Sequence, residues 1–178
     1  MLCEYNFYKN VFSSDERKEI IDIAEKNKSF LFLDRPTSYK KVETFLIETP
    51  KIYDKIEKAF ILAARCNQEF YGFELFANLP FTINFNYYEN GKEYSYHRDG
   101  SKLGMANDIK LTAIVNLSQS NYTGGEFEIF LGKDERIVEI DEPGNMIIFP
   151  SFFFHRVKPV THGKRITMSF WLEGKNWN

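Results

Sequence analysis

The sequence predicts a mainly β fold, a sandwich or jelly roll (double-stranded β-helix) core packed against N-terminal α-helices. Of its 178 residues 17% are aromatic, with 18 Phe and 10 Tyr, a composition that suits half-buried strands. From Phe81 onward, short apolar runs are broken by Gly, Asn and Pro, which is typical of a compact all-β unit. The length fits one domain with a sizeable core.

Two helices are predicted before the β-rich part. Ser13 or Ser14 offers an N-cap to the segment DERKEIIDIAEKN, whose apolar residues recur at helical spacing. A second helix is predicted to begin after Pro50 and to run to about Phe70, because its apolar residues recur every three or four positions. We expect residues 1–79 to support the core.

The strands are predicted from alternation and from turn residues. Residues 29–49 alternate weakly, with 44–47 as the best strand candidate, and their role in the fold stays open. A jelly-roll catalytic core is expected over residues 80–173, where two antiparallel sheets would enclose a pocket. Its strands are predicted near residues 81–88, 94–98, 110–117, 125–130, 136–140, 145–149, 154–159 and 164–172.

Charge and cysteine content exclude several classes of partner. The 23 Lys and Arg nearly balance the 25 Asp and Glu, so we expect no nucleic-acid partner. Cys3 and Cys66 lack metal-binding spacing and fit a reducing compartment. Because the N-terminus lacks a leader pattern and no apolar run reaches about 18 residues, we expect a soluble, cytoplasmic protein without a membrane partner. The sequence does not indicate an oligomeric state.

Two of the three histidines stand where a metal site would need them. In YSYHRDG, His97 and Asp99 are two residues apart, so on an extended strand both side chains leave the same face. His155, in FPSFFFHRVKPV, would supply a third ligand. Two imidazoles and a carboxylate form the facial triad of non-haem Fe(II) oxygenases, which leaves open positions on the metal. The alternative for His155 is a core histidine bonded to a backbone carbonyl.

A candidate anion site follows ten residues later, in GKRITMSFWLEG. Arg165 and Ser169 share the polar face of a predicted strand. If that face is buried, the guanidinium needs a partner, and the distal carboxylate of 2-oxoglutarate would take two parallel hydrogen bonds from it, with the Ser169 hydroxyl as a further donor. The alternative places Arg165 in a surface ion pair.

The segments NLSQSNYTGGEFEIF and VEIDEPGNMIIFPSFFFHRVKPVTHGKRITMSFW resemble the Fe(II)/2-oxoglutarate dioxygenases of the prolyl 4-hydroxylase superfamily, most of all bacterial PKHD-type hydroxylases. The resemblance covers roughly residues 80–172. It implies that His97, Asp99 and His155 bind iron and that Arg165 binds 2-oxoglutarate.

The resemblance also implies two less direct contacts with the co-substrate. Tyr87 stands ten residues before the first iron ligand, where relatives place a hydrogen-bond donor to 2-oxoglutarate. Asn116 stands where some relatives have a second co-substrate tyrosine. We further expect Trp171, Phe154 and Phe149 to wall a dry aromatic pocket.

The implied activity is hydroxylation of an unactivated C–H bond, on a prolyl or other peptidyl residue, with Fe(II), O2 and 2-oxoglutarate, which becomes succinate. Ascorbate is expected as a reductant. One alternative is the same chemistry on a free amino acid or small molecule, and another is a non-catalytic, cupin-like metal-binding module. Arg165 discriminates against the module, which has no need for a buried cation. Residues 100–110 are expected to form a mobile loop that covers or selects the substrate.

Overall fold

The computed structural model describes residues 3–28, 33–34, 40–100 and 107–176. Its helices are α1 (Ser14–Lys26) and α2 (Tyr53–Cys66), with 3-10 turns at Thr49–Lys51 and Val138–Ile140 and a π-helical turn at Asn67–Tyr71. The described strands are β1 (Asn6–Tyr8), β2 (Leu33–Asp34), β3 (Glu43–Glu48), β4 (Thr82–Tyr88), β5 (Tyr94–His97), β6 (Asn107–Asn116), β7 (Thr123–Gly124), β8 (Phe127–Phe130), β9 (Asp134–Arg136), β10 (Met146–Pro150), β11 (His155–Val157), β12 (Val160–His162) and β13 (Arg165–Lys175).

The strands form two facing sheets and a small ribbon, which confirms the predicted fold class. The larger sheet has seven strands in the order β1-β10-β6-β13-β4-β3-β2, and the smaller has four in the order β5-β11-β8-β9. The ribbon pairs β12 with β7. All the pairings are antiparallel, as expected of a jelly roll.

The two faces of the larger sheet are chemically distinct, because successive side chains on each strand point to opposite faces and apolar residues alternate with polar ones. On β13, Ile166, Met168 and Phe170 face the layer of α1 and α2 and are buried in the main core. The intervening residues of that strand face the smaller sheet. A second core lies between the sheets, where Phe127 of β8 and Phe149 of β10 pack at 5.7 Å between ring centroids. The helices therefore cover one face and leave the other for a site.

Both predicted helices are confirmed. Ser13 is the N-cap of α1, and its hydroxyl accepts from the backbone N–H of Glu16 while the Glu16 carboxylate accepts from the backbone N–H of Ser13. This reciprocal capping box satisfies two donors that a helix start leaves open. The π-helical turn carries the second helix on to Tyr71, close to the predicted end. No helix in the described part of the chain is long and apolar enough to cross a membrane.

The N-terminal part contributes strands as well as helices. The strand predicted at residues 44–47 is confirmed as β3, which pairs with β4 in the larger sheet. The strand β1, which the sequence did not indicate, pairs with β10 at one edge of the same sheet. Residues 1–79, which we expected to support the core, thus add strands to the sheet that carries the candidate site.

The strand predicted at 136–140 is wrong, because β9 ends at Arg136 and a 3-10 turn follows. Ile137 and Ile140 are both fully buried while Val138 is 56% exposed, a three-residue spacing that one helical turn satisfies and a strand does not. The loop predicted at 100–110 is also partly wrong, because residues 107–110 begin β6. Residues 101–106 lie outside the described part of the chain.

Candidate active site

The three predicted metal ligands come together between the sheets. β11 runs antiparallel to β5 with His155 opposite His97. Asp99 follows β5, and its backbone N–H donates to the carbonyl of Ser151 at 3.0 Å. One ligand atom from each of the three side chains lies within 4.8 Å of the others.

A hydrogen bond to a backbone carbonyl orients each of the two histidine side chains. The Nδ1 atoms of His97 and His155 lie 2.9 and 3.0 Å from the backbone carbonyls of Ser95 and Phe153. Because a carbonyl only accepts, Nδ1 carries the proton in both rings and Nε2 keeps its lone pair for a metal. The Nε2 atoms lie 3.9 Å (His97) and 3.6 Å (His155) from the Asp99 carboxylate.

The histidine environment favours the neutral, metal-binding form. Burial and the neighbouring His155 lower the pKa of His97 to about 4. The Tyr94 ring stacks on His97 with 3.6 Å between centroids, and Phe149 meets His155 edge-on at 4.9 Å. Atoms bound to one metal at about 2.1 Å lie within about 4.2 Å of each other, so the carboxylate-to-imidazole distances fit a shared ion.

The triad lines a cavity of about 210 Å³ between the sheets. The cavity is more polar than the aromatic pocket predicted from the sequence. Phe149 is fully buried behind His155, and Phe154 is 48% exposed, so neither lines the cavity, whereas Trp171 does. The side chains of the larger sheet that line it are mostly amides and hydroxyls: Asn84, Asn86, Thr112, Thr167 and Ser169.

Arg165, the first residue of β13, lines this cavity and is 1% exposed. Its Nε and Nη2 atoms are buried and have no hydrogen-bond partner among the described residues. The guanidinium carbon lies 5.4 Å from the centroid of the Tyr88 ring. The surface ion pair considered from the sequence is therefore wrong, because a buried guanidinium with open donors calls for an anionic ligand.

The structure does not bring Tyr87 to the cavity. Along β4, Ile83, Phe85 and Tyr87 face the main core, and Tyr87 packs on Phe45 at 5.0 Å between centroids. The neighbouring Tyr88 lines the cavity instead and is 2% exposed. The alternation in TINFNYY contained this signal, since Tyr88 shares its face with the two asparagines. Burial raises the pKa of Tyr88 to about 12, so its phenol keeps its proton.

Asn116 also takes a structural role. Its amide nitrogen donates to the backbone carbonyls of Ile140 and Asp141, and its side-chain oxygen accepts from the backbone N–H of Ser118. These bonds hold the end of β6 against the 3-10 turn and leave the side chain outside the cavity lining. Ser169, in contrast, lines the cavity together with Arg165.

Thr112 and Lys40 are among the cavity residues that the sequence reasoning missed. The Thr112 hydroxyl donates to the Asp99 carboxylate at 2.7 Å, a contact that depends on tertiary structure and has no local signal. Lys40 is 6% exposed, and its ammonium lies 5.1 Å from the centroid of the Tyr94 ring. Arg156, which follows His155 in the sequence, donates a hydrogen bond to Glu128 on the face of the smaller sheet that points away from the cavity.

Solved structures share this architecture. The viral collagen prolyl hydroxylase of Paramecium bursaria Chlorella virus-1, in its 2OG complex, superposes with a TM-score of 0.76 over 97% of each chain at 17% identity. A prolyl hydroxylase of Trichoplax adhaerens, in complex with a hypoxia inducible factor peptide fragment, superposes with a TM-score of 0.72 over 95% of this chain and 83% of that one at 16% identity. At these identities the likeness shows the fold.

Sequence comparison shows the family. A PKHD-type hydroxylase of Janthinobacterium sp. (strain Marseille) is 35% identical over 96 residues, which cover 50% of this chain and 42% of that protein. The chain thus spans less than half the length of the curated relatives it matches. Residues 83–173, just over half of the chain, match the profile of the 2OG-Fe(II) oxygenase superfamily. This segment contains His97, Asp99, His155 and Arg165, and the chain belongs to the 2OG-Fe(II) oxygenase superfamily.

Proposed function

We propose that the chain is an Fe(II)- and 2-oxoglutarate-dependent dioxygenase that hydroxylates an unactivated C–H bond. His97, Asp99 and His155 hold the iron, and Arg165 holds the distal carboxylate of 2-oxoglutarate. The observation that carries the proposal is the buried Arg165 guanidinium in the same cavity as the triad, with two nitrogens that find no hydrogen-bond partner in the described part of the chain. When bound, Fe(II) and 2-oxoglutarate supply the activation of O2, with 2-oxoglutarate decarboxylated to succinate.

The residues at the Arg165 end bind and orient the co-substrate. The planar guanidinium donates two parallel hydrogen bonds to a carboxylate. Tyr88 stays protonated at neutral pH and serves as a donor in the position first expected of Tyr87. Ser169 lines the same cavity and adds a hydroxyl. Because the inside of the cavity has a lower dielectric constant than water, these hydrogen bonds are stronger there than they would be in solvent.

The residues at the metal end fix ligand orientation. The backbone carbonyls that accept from Nδ1 hold both imidazoles with Nε2 available, and Thr112 holds the carboxylate of Asp99. Aromatic rings pack against the two histidines and limit the access of water to their faces. Such outer contacts raise metal affinity and keep the ligands in place during turnover.

For the substrate, we favour a prolyl or other peptidyl residue. Support comes from the fold, which matches prolyl hydroxylases that include one in complex with a peptide, and from the PKHD-type hydroxylase relatives. A free amino acid or another small molecule is the alternative. We further propose that residues 1–178 work as one domain, since β1 and β3 extend the sheet of the catalytic core. Ascorbate as a reductant stays a prediction.

Binding of Fe(II) and 2-oxoglutarate tests the proposal directly. Under anaerobic conditions, the protein with both components is expected to show the weak visible charge-transfer band of the iron–2-oxo acid chelate. His155→Ala should abolish the band because one of three ligands is lost. His162→Ala is the matched control, since His162 is exposed at the end of β12. A folded wild-type protein that forms no chelate would overturn the assignment.

Arg165 is tested separately with Arg165→Met, which keeps an unbranched side chain and removes the charge. Iron affinity is expected to stay within about twofold, while 2-oxoglutarate affinity falls at least about tenfold, because charge-assisted hydrogen bonds contribute about 1.5–3 kcal/mol each. Titration of the chelate band with 2-oxoglutarate gives the affinity. Equal affinity in the variant would remove Arg165 from the co-substrate site.

A further inference from the structure

A buried lysine shares the cavity with the triad and Arg165. Lys40 lines the cavity and is 6% exposed, and its ammonium lies 5.1 Å from the centroid of the Tyr94 ring. That ring in turn stacks on His97 with 3.6 Å between centroids. Since an ammonium has three N–H donors, Lys40 can keep its contacts within the protein and still donate to a ligand.

Lys40 lies at one side of the cavity, between the edges of the two sheets. Its backbone forms a bridge to Tyr94 on β5, the edge strand of the smaller sheet, and the chain then enters β3 of the larger sheet. On the opposite side, apolar side chains of β8 and β10 fill the space between the sheets. Because β3 is two strands from β13, Lys40 approaches the cavity about 10 Å to the side of the strand that carries Arg165.

The metal and the co-substrate set the net charge of the loaded cavity. Fe(II) is balanced by the Asp99 carboxylate and by the carboxylate at the 2-oxo acid end of 2-oxoglutarate, because both histidines bind a metal as neutral imidazoles. The distal carboxylate is balanced by Arg165. Among the described lining residues, the further charged group is the ammonium of Lys40. The loaded cavity is thus cationic on the Lys40 side.

A cationic side favours a substrate that brings a negative charge. In a buried site, a hydrogen bond from an ammonium to a carboxylate is shorter and stronger than one between neutral groups. The neighbouring polar side chains of β3 and β4 already bind each other, since the Thr44 hydroxyl donates to Asn86 and the Asn86 amide donates to Ser169. Among the described residues on this side of the cavity, Lys40 therefore offers the charged donor.

We infer that Lys40 binds a carboxylate of the substrate and thereby selects substrates that carry an acidic group close to the hydroxylated carbon. The carboxylate belongs either to an acidic side chain beside the target residue of a peptide or to the target residue itself as a free α-carboxylate. The inference rests on the proposed function and deepens it, because it names the chemical class of the substrate. Lys40 is then a specificity-determining residue that binds neither the metal nor 2-oxoglutarate.

Pairs of probes that differ by one charge test this contact. N-acetyl-L-proline is compared with N-acetyl-L-prolinamide, which lacks the α-carboxylate. N-acetylated, C-amidated dipeptides in which glutamate precedes or follows proline are compared with the same dipeptides containing glutamine. Redox-inert Zn(II) replaces iron, and 2-oxoglutarate is added first, so that calorimetric titration measures the binding of each probe without turnover.

At least one acidic probe is expected to bind the wild type about tenfold more tightly than its neutral match, the value of one charge-assisted hydrogen bond. Lys40→Met keeps an unbranched side chain over Tyr94 and should remove this preference, while Lys40→Arg should retain it. Both variants should bind 2-oxoglutarate like the wild type, which also shows that they are folded. Lys41→Met is the matched control, because Lys41 is exposed and pairs with Glu93 at 2.6 Å. The probe pair that shows the preference identifies the source of the carboxylate.

Three results would overturn the inference. If no acidic probe binds more tightly than its neutral match, the cavity does not select a carboxylate. If the preference persists in Lys40→Met, the carboxylate binds the metal instead. If Lys40→Met weakens 2-oxoglutarate binding as strongly as Arg165→Met does, Lys40 belongs to the co-substrate site. The iron–2-oxoglutarate chelate band needs no substrate, so a normal band without an acidic preference rejects this inference and leaves the proposed function standing.

Discussion

At the scale of single residues, the candidate metal site depends on contacts from outside the triad. The Thr112 hydroxyl donates to one oxygen of Asp99 and comes from a different strand, β6. This bond restricts the rotation of the carboxylate and leaves its other oxygen 3.9 Å from the imidazole of His97. Removal of an outer contact of this kind typically lowers metal affinity 10- to 100-fold.

Replacement of Thr112 by Val tests this contact at nearly constant volume. Thr112→Val should weaken Fe(II) binding by about tenfold, because the carboxylate loses its donor. Thr112→Ser keeps the hydroxyl and should bind Fe(II) like the wild type. Anaerobic metal titration measures both affinities. If Val and Ser variants bind the metal equally, the hydroxyl does not position Asp99.

At the scale of secondary structure, the turn between β7 and β8 supports Arg165. Gly125 has a φ of +69°, and a Cβ atom there would lie 2.9 Å from Val160 Cγ2 and 3.0 Å from Arg165 Cδ. Its backbone N–H donates to the carbonyl of Pro159. The glycine at this turn thus allows the backbone to approach the arginine closely.

Gly125→Ala should displace the Arg165 side chain and weaken 2-oxoglutarate binding several-fold. Gly132→Ala is the matched control, since Gly132 has a φ of +82° and its Cβ would meet nothing within 4 Å. Both variants should lose about 1 kcal/mol of unfolding free energy from backbone strain. Loss of 2-oxoglutarate affinity in Gly125→Ala alone is the expected result, and equal effects in both variants would contradict it.

At the scale of the whole molecule, the larger sheet joins a helix-covered core to a polar site. Its core face is closed by α1 and α2, so the fold does not depend on the cavity face being apolar. That face carries Arg165, which is fully buried and has two donor nitrogens without a partner among the residues that the structure describes. A buried charge of this kind costs folding free energy when no ligand is bound.

Arg165→Met should therefore stabilise the ligand-free protein by about 1 kcal/mol or more, measured by urea unfolding. In the wild type, Zn(II) with 2-oxoglutarate should raise the unfolding temperature, because ligands that bind only the folded state stabilise it. The Arg165→Met variant should keep the rise in unfolding temperature that the metal causes and lose the rise that 2-oxoglutarate causes. A ligand-free variant less stable than wild type would mean that the guanidinium is stabilised within the protein.

Prediction from sequence succeeded where the signal was local. Helix capping at Ser13 and the strand containing residues 44–47 depend on neighbours along the chain, and both are confirmed. The error at 136–140 has a tertiary cause, since Ile137 and Ile140 both turn inward to the core between the sheets. Short strands such as β1 lack a pattern of their own and exist because a neighbouring strand, here β10, pairs with them.

For the site, two-residue spacing in the sequence indicated His97 and Asp99 as candidate ligands, and strand alternation indicated the face that Arg165 shares with Ser169. His155 comes from a distant segment, and the pairing of β11 with β5 brings it to the other two. Alternation along β4 places Tyr87 and Tyr88 on opposite faces, with Tyr88 on the face of the two asparagines. Tertiary structure decided which layer covers each face, that the face of Arg165 is buried, and that Asn116 binds backbone instead. The physical reason is that burial and side-chain partners depend on how distant strands pair and which layer covers each face. Spacing along one strand specifies neither.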